Sequence, residues 1–150
     1  MTLSFSFCDK NKDFTLLKKL LQFLKADKYQ WILGDSDVYN YSTLENIFKT
    51  GEYIEKEYAV YSGSELMSLI SDRIFYVFIE LYAFESVNSI RDYNDESLLN
   101  NCEIAVIIDD CNYYTVYVRE KELFESLLSF LKTHNIDVSY QSGDGSPIEL

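Results

Sequence analysis

Residues 73–84 read RIFYVFIELYAF, a run of aromatic, β-branched and aliphatic side chains that encloses one carboxylate. The composition predicts a long strand, and a period of two divides its side chains between two faces. One face would carry Phe75, Val77, Ile79, Leu81 and Ala83. The other would carry Ile74, Tyr76, Phe78, Glu80, Tyr82 and Phe84. The first face is typical of a core; the second is equally apolar, so it requires a second covering layer or a partner.

The pattern around this strand predicts an α+β fold. Alternating or uninterrupted apolar segments predict further strands at residues 3–7, 29–33, 38–41, 104–108, 113–119 and 136–140, with a loop at 34–37 and a charged edge segment at 52–61. Apolar residues at helical spacing predict helices at 14–24 and 120–133, and a short one at 65–71. We therefore predict a single mixed, mainly antiparallel sheet of about six strands packed against two main helices. Two helices do not readily cover both faces of so wide a sheet.

The length of the chain, 150 residues, fits one domain. We predict a single α+β domain over residues 1–150, in which residues 142–150 form a flexible tail because the segment is rich in Ser, Gly and Asp.

The charge of the chain is strongly asymmetric. The formal net charge is −12; residues 1–50 carry seven Lys and six acidic residues, whereas residues 51–150 carry six basic and nineteen acidic ones. Such a field repels nucleic-acid phosphates and anionic lipid and attracts a basic protein surface. The alternative is that the acidic surface only keeps the protein soluble.

The three cysteines and the N-terminal sequence indicate a cytoplasmic protein. Cys8, Cys102 and Cys111 have no disulfide-framework spacing, and residues 1–10 lack the basic start and apolar block of a signal peptide. No apolar run reaches the length of a membrane span. With one His and no CxxC motif, a structural zinc site has no ligand set, and no phosphate-binding loop is present, so we expect no cofactor.

Two groups of carboxylates are candidates for chemistry. Glu80 lies within the most hydrophobic strand, where burial would raise its pKa and suit it to acid or base work; the alternative is a solvent-facing residue or one paired with a Lys of the first helix. Divalent metal could bind to four aspartates near predicted strand ends, Asp35, Asp37, Asp109 and Asp110. Acidic runs in turns are more often local caps. His134 ends a predicted helix and is interpreted as a surface residue.

The preferred hypothesis is a non-enzymatic protein-binding module, resembling small immunity or inhibitory proteins, that acts through an aromatic, acid-rimmed sheet face. The chain holds 13 Tyr and 10 Phe, and clustered aromatics ringed by charge are typical of binding hot spots. The predicted contact residues are Tyr76, Phe78, Glu80, Tyr82, Asp109, Asp110, Tyr113 and Tyr117. The alternatives are a metal-dependent hydrolase using the four aspartates and a protein that self-associates through the same face.

Trp31, Gly34 and Tyr39, together with the run NCEIAVIIDDCNYYTVYV at residues 101–118, resemble a bacterial family known as domain of unknown function 2691. The order of predicted elements resembles that of the family as well, over nearly the whole chain. The sequence departs from the family pattern at residues 33–37 and 142–150. The resemblance implies the fold and a bacterial cytosolic origin, and it implies no activity.

Overall fold

The computed structural model of the chain describes residues 3–48, 52–55, 58–142 and 147–148. The helices and strands in these ranges are β1 (Leu3–Cys8), α1 (Leu16–Phe23), β2 (Gln30–Asn40), β3 (Glu52–Glu55), β4 (Tyr58–Ser62), α2 (Gly63–Leu69), β5 (Ile74–Phe84), α3 (Asp95–Asn101), β6 (Ile104–Asp109), β7 (Tyr113–Val118), α4 (Lys121–Thr133), β8 (Val138–Ser142) and β9 (Pro147–Ile148). Short 3-10 turns lie at Ala26–Lys28 and Val87–Ser89.

The strands form one antiparallel sheet. Their order is β3-β4-β2-β5-β6-β7-β1-β8-β9, which gives nine strands within the described ranges. The predicted α+β class, the mainly antiparallel pairing and the two longer helices are confirmed. The sheet is wider than six strands because the edge segment at residues 52–61 forms two strands and the end of the chain adds another short one.

Three helices cover one face of the sheet and enclose the main core. Leu17 and Leu21 of α1, Leu66 of α2 and Leu127 of α4 are fully buried in this core. The strands contribute alternate residues to it, as expected for a sheet with different neighbours on its two faces. In the central strands these residues are Trp31, Leu33, Ile79, Leu81, Ala83, Ile104, Val106, Ile108, Tyr114, Val116 and Val118.

The opposite face carries a smaller second core at one end of the sheet. Here α3 and the segment at residues 87–93 pack against Ile32, Tyr82, Phe84 and Ala105. Leu98 of α3 and Cys102 after it are each 1% exposed. The second covering layer that the sequence requires is therefore supplied in part by the chain itself.

A β-bulge in β5 changes the predicted assignment of its faces. Val38 pairs with Tyr76 and Asp37 pairs with Phe78, so Val77 is an extra residue in β5. Ile74 and Tyr76 consequently lie in the main core with Ile79, Leu81 and Ala83, while Val77 is 37% exposed. The strict alternation is wrong on the N-terminal side of the bulge, because one inserted residue reverses the direction of every side chain before it.

A second irregularity lies opposite, in β2. Leu33 pairs with Leu81 and Ser36 pairs with Ile79, so the intervening Gly34 and Asp35 are accommodated as a bulge. The prediction of two short strands separated by a loop at residues 34–37 is wrong, because β2 runs from Gln30 to Asn40. The paired bulges keep the two longest strands aligned over their whole length.

The end of the chain continues the sheet where it is described. Gln141 pairs with Ile148 and Ser142 with Pro147. The other residues of the predicted tail, 143–146 and 149–150, lie outside the described ranges. Among the described residues, none of the helices combines the length and apolar character needed to span a bilayer.

Candidate functional site

Three carboxylates and two tyrosines meet on the second face of the sheet, beside α3. Glu80 and Tyr82 project from β5, Asp35 lies at the β2 bulge, Tyr58 begins β4, and Asp95 is the first residue of α3. We call these five residues the acid–tyrosine cluster. Their proximity follows from the strand order, because β2 lies between β4 and β5.

Glu80 lies directly over the backbone of Gly34. A Cβ atom at Gly34 would lie 2.8 Å from Glu80 Oε1 and 3.3 Å from Glu80 Cβ, so only glycine leaves the carboxylate in its present place. The carboxylate accepts a hydrogen bond from the backbone N–H of Asp35. The Tyr82 hydroxyl, at the end of a side chain that is 1% exposed, lies 3.4 Å from Glu80 Oε1 and donates toward it.

The link from the cluster to α3 is made by Tyr58 and Asp95. The Tyr58 hydroxyl donates a 2.6 Å hydrogen bond to Asp95 Oδ1. Asn94 caps the same end of the helix, since its side chain accepts a 2.8 Å hydrogen bond from the backbone N–H of Ser97. The beginning of α3 is thus held both by its own cap and by a contact with the sheet.

The electrostatics of the cluster oppose ionisation of Glu80. Burial is the largest effect that raises the pKa of Glu80 to about 7, followed by the charges of Asp95 and Asp35. The hydrogen bonds from the Tyr82 hydroxyl and the Asp35 backbone act in the opposite direction and lower this pKa. Burial is also the largest cause of the raised pKa of Tyr82 and of Tyr58. None of the ion pairs between described residues involves a carboxylate of this cluster. Burial thus acts on the pKa of Glu80 in the direction expected from the sequence, and a Lys of α1 is not its partner because α1 lies on the opposite face.

Next to the cluster, the second face carries apolar side chains that α3 does not bury. Glu80 pairs with Ile107 of β6, which pairs with Thr115 of β7. These three residues are half-buried, as are Phe78 and Tyr117. We call this strip of Phe78, Glu80, Ile107, Thr115 and Tyr117 the open face.

The structure separates the eight predicted contact residues. Tyr76 is 1% exposed, its hydroxyl is hydrogen-bonded to that of Tyr114 in the main core, and its predicted exposure is wrong because of the β5 bulge. Tyr82 is also 1% exposed, so its predicted accessibility is wrong: the second core encloses its ring. Phe78, Glu80 and Tyr117 belong to the open face. Asp109, Asp110 and Tyr113 lie at the exposed β6–β7 turn, where Tyr113 is 42% exposed.

The four aspartates of the metal hypothesis do not converge. Asp37 accepts a hydrogen bond from the Tyr39 hydroxyl, and Asp35 belongs to the acid–tyrosine cluster. Asp109 and Asp110 lie at the β6–β7 turn, with Asp110 in a left-handed conformation at φ 52°. In the part of the chain that the structure describes, no group of three or more His, Cys, Asp or Glu residues is placed to hold a metal ion.

A cavity of about 580 Å³ lies elsewhere, between the loop after β1, the start of α1 and the turn after α4. Three of its polar residues, Asp9, Asp13 and Lys19, are engaged with one another. Asp9 Oδ2 accepts a 2.8 Å hydrogen bond from the N–H of Asp13, and the Asp13 carboxylate lies 3.6 Å from Lys19 Nζ. His134 lines the cavity as the exposed residue that ends α4, which confirms its predicted surface position. The acid–tyrosine cluster is the stronger candidate because none of the ion pairs between described residues neutralises its carboxylates.

Sequence patterns did not predict three features of the site: the positions of Tyr58 and Asp95 and the bulge at Asp35. Tyr58 and Asp95 are far apart in sequence, and the β2 bulge that places Asp35 beside Glu80 depends on the pairing with β5. Only the start of α3 has a local sequence signal. Asn is a common helix-capping residue, and the Asn94 side chain accepts a hydrogen bond from the backbone N–H of Ser97, three residues further on. Strand order, which brings these segments together, has no local sequence signal.

The fold and the site define a class of small α+β protein: one antiparallel sheet, helices over one face, and a partly covered second face with an acidic cluster around the half-buried Glu80. The chain belongs to the family described as "Protein of unknown function (DUF2691)", which it matches over residues 2–145. It is 26% identical over 137 residues to the "Uncharacterized protein YncE" of Bacillus subtilis (strain 168), a match that covers 88% of this chain and 86% of that protein. No solved structure matches the chain.

Proposed function

We propose that the protein is a non-enzymatic binding module of the bacterial cytosol whose open face docks on a basic surface of another protein. The observation that carries the proposal is the half-buried state of Phe78, Ile107 and Tyr117 on a face where α3 covers only one end. Apolar side chains gain free energy when a partner completes their burial, by roughly 25 cal/mol per Å².

The charge around the open face supports a basic partner. Glu80 lies within the face, Asp35 and Asp95 are exposed beside it, and Asp109 and Asp110 are exposed at the neighbouring turn. A Lys or Arg side chain of the partner would offset the repulsion between the clustered carboxylates. The net charge of −12 favours encounter with such a surface and disfavours nucleic acid and anionic membranes.

Site-specific photo-crosslinking tests this proposal directly. A photoreactive residue is placed at Thr115 on the open face or, as the matched control, at exposed Glu125 on α4. The proposal predicts one dominant adduct from position 115, in the cells that produce the protein, with a different protein that presents a basic surface. Equal labelling from the two positions would contradict it, and an adduct with a second copy of the chain would favour self-association instead.

The affinity for the captured protein provides the second measurement. Phe78→Ser or Ile107→Ser is expected to weaken binding about tenfold or more, because each removes a central apolar contact. Glu125→Ser serves as the control and leaves the affinity unchanged. Binding that strengthens with added salt would overturn the assignment of a basic partner.

A further inference from the structure

The two ends of α3 are attached to the protein in different ways. At the C-terminal end, the Arg119 guanidinium donates hydrogen bonds of 3.3 Å to the carbonyl oxygens of Asn100 and Cys102. At the N-terminal end, a hydrogen bond joins Tyr58 of β4 to Asp95 of the helix. The N-terminal end of α3 is therefore held within the acid–tyrosine cluster.

Among the described residues, the ionisable side chains that act on Glu80 are either acidic or neutral. Asp35 faces it from β2 and Asp95 from α3, while Tyr58 of β4 and Tyr82 of β5 contribute neutral hydroxyls. Its neighbour across β6 is the apolar Ile107. Ionisation of Glu80 consequently places a third negative charge next to two others, with no described cation to offset it.

We propose that Glu80 acts as a proton-controlled latch for α3: the helix packs closely on the sheet while Glu80 is protonated, and its N-terminal end loosens when Glu80 becomes an anion. The latch belongs to the free protein and does not depend on the partner binding proposed above. Its working range is near neutral pH, since the pKa of Glu80 in the closed arrangement is raised to about 7. Opening relieves the burial and the repulsion, so the open form has the lower pKa and is favoured as pH rises.

Hydrogen exchange of the α3 amides tests the latch, with observed rates divided by the intrinsic rates at each pH. Between pH 5 and pH 8 the opening of α3 is expected to increase about tenfold in the wild-type protein, corresponding to one pKa unit between the closed and open forms. Glu80→Gln removes the ionisable group and is expected to give the same opening at both pH values. Glu96→Gln, at an exposed position one residue beyond Asp95, is the matched control and keeps the wild-type dependence.

Labelling of Cys102, the residue that follows α3, gives an independent readout, because this thiol is 1% exposed within the second core to which α3 contributes. In a Cys8→Ser, Cys111→Ser background, the ratio of the wild-type rate to the Glu80→Gln rate cancels the intrinsic pH dependence of the thiol. The ratio is expected to rise about tenfold from pH 5 to pH 8. Asp95→Asn, which keeps an acceptor for Tyr58, is expected to reduce this rise. A constant ratio, or an unchanged pH dependence of exchange in Glu80→Gln, would overturn the proposal.

Discussion

The Tyr58 hydroxyl donates a 2.6 Å hydrogen bond to Asp95 Oδ1 and thereby joins the start of β4 to the first residue of α3. The two residues are 37 positions apart, and the Tyr58 side chain also packs against the second core. Asp95 is also the residue of α3 whose charge acts on the carboxylate of Glu80.

Replacing Tyr58 with Phe removes this bond while keeping the ring. Because Tyr58 is half-buried and the bond is exposed, we expect a loss of about 1 kcal/mol or less in the free energy of unfolding, measured with urea. The larger effect is expected in the exchange rates of the α3 amides, which should rise while those of β6 stay constant. A uniform rise across the whole sheet would show that the bond has no local role.

The pH dependence of stability has a defined sign at Glu80. Its pKa is raised to about 7 from an ordinary value of 4.5, so the folded protein binds more protons than the unfolded chain between these values. The free energy of unfolding therefore falls as pH rises through this window and levels off above it. In the wild-type protein we expect the free energy of unfolding to fall by an amount on the order of 1 kcal/mol, less than the full pKa shift implies because Glu80 is half-exposed. Glu80→Gln is expected to abolish this fall. Urea unfolding of the wild-type protein and of Glu80→Gln at pH 5 and pH 8 measures this difference. An equal change in the free energy of unfolding for both proteins would contradict the assignment.

The paired hydroxyls of Tyr76 and Tyr114 predict non-additive effects in the main core. Each ring is 1% exposed or less, and the two hydroxyls are hydrogen-bonded to each other. Tyr76→Phe leaves the Tyr114 hydroxyl without this partner, at a cost of about 1–3 kcal/mol, and Tyr114→Phe has the converse effect. The double variant should lose less than the sum of the single losses in urea unfolding. Simple additivity would indicate that the hydroxyls do not interact.

The bulge at Val77 predicts that backbone length matters more there than side-chain chemistry. Val77→Ser changes a side chain that is 37% exposed and should alter the unfolding free energy by about 0.5 kcal/mol or less. Deleting Val77 would turn Ile74 and Tyr76 out of the main core, and the loss of the cooperative unfolding transition is expected. The carbonyl of Val77 also accepts a 2.8 Å hydrogen bond from the N–H of Cys111. A stable deletion variant would show that the register can adjust without the bulge.

Local patterns were sufficient for most elements of the fold. The apolar run at residues 104–108 and the alternation at residues 113–119 predict adjacent strands, and the helical spacing of Phe124, Leu127 and Leu131 predicts α4. These signals are strong because each element buries one regular set of side chains. The single-domain interpretation and the flexible tail remain predictions.

Features that depend on pairing could not be obtained from the sequence. A bulge is set by the partner strand, so no local pattern identifies Val77 as an inserted residue or joins the two halves of β2. The short α3 covers the ring of Tyr82 although its seven residues carry few apolar side chains. Glu80 was identifiable from its strand alone, whereas its neighbours Asp35 and Asp95 required the strand order.

The acid–tyrosine cluster supports both proposals, and the pKa of Glu80 reports on it most directly. A titration of the Glu80 side-chain carboxyl carbon by NMR, assigned by its absence in Glu80→Gln, measures this quantity in the free protein. We expect a midpoint of about 7, because burial and the charges of Asp95 and Asp35 disfavour the anion. A midpoint at the ordinary value of 4.5 would show that Glu80 is well solvated and that the cluster does not exist as described.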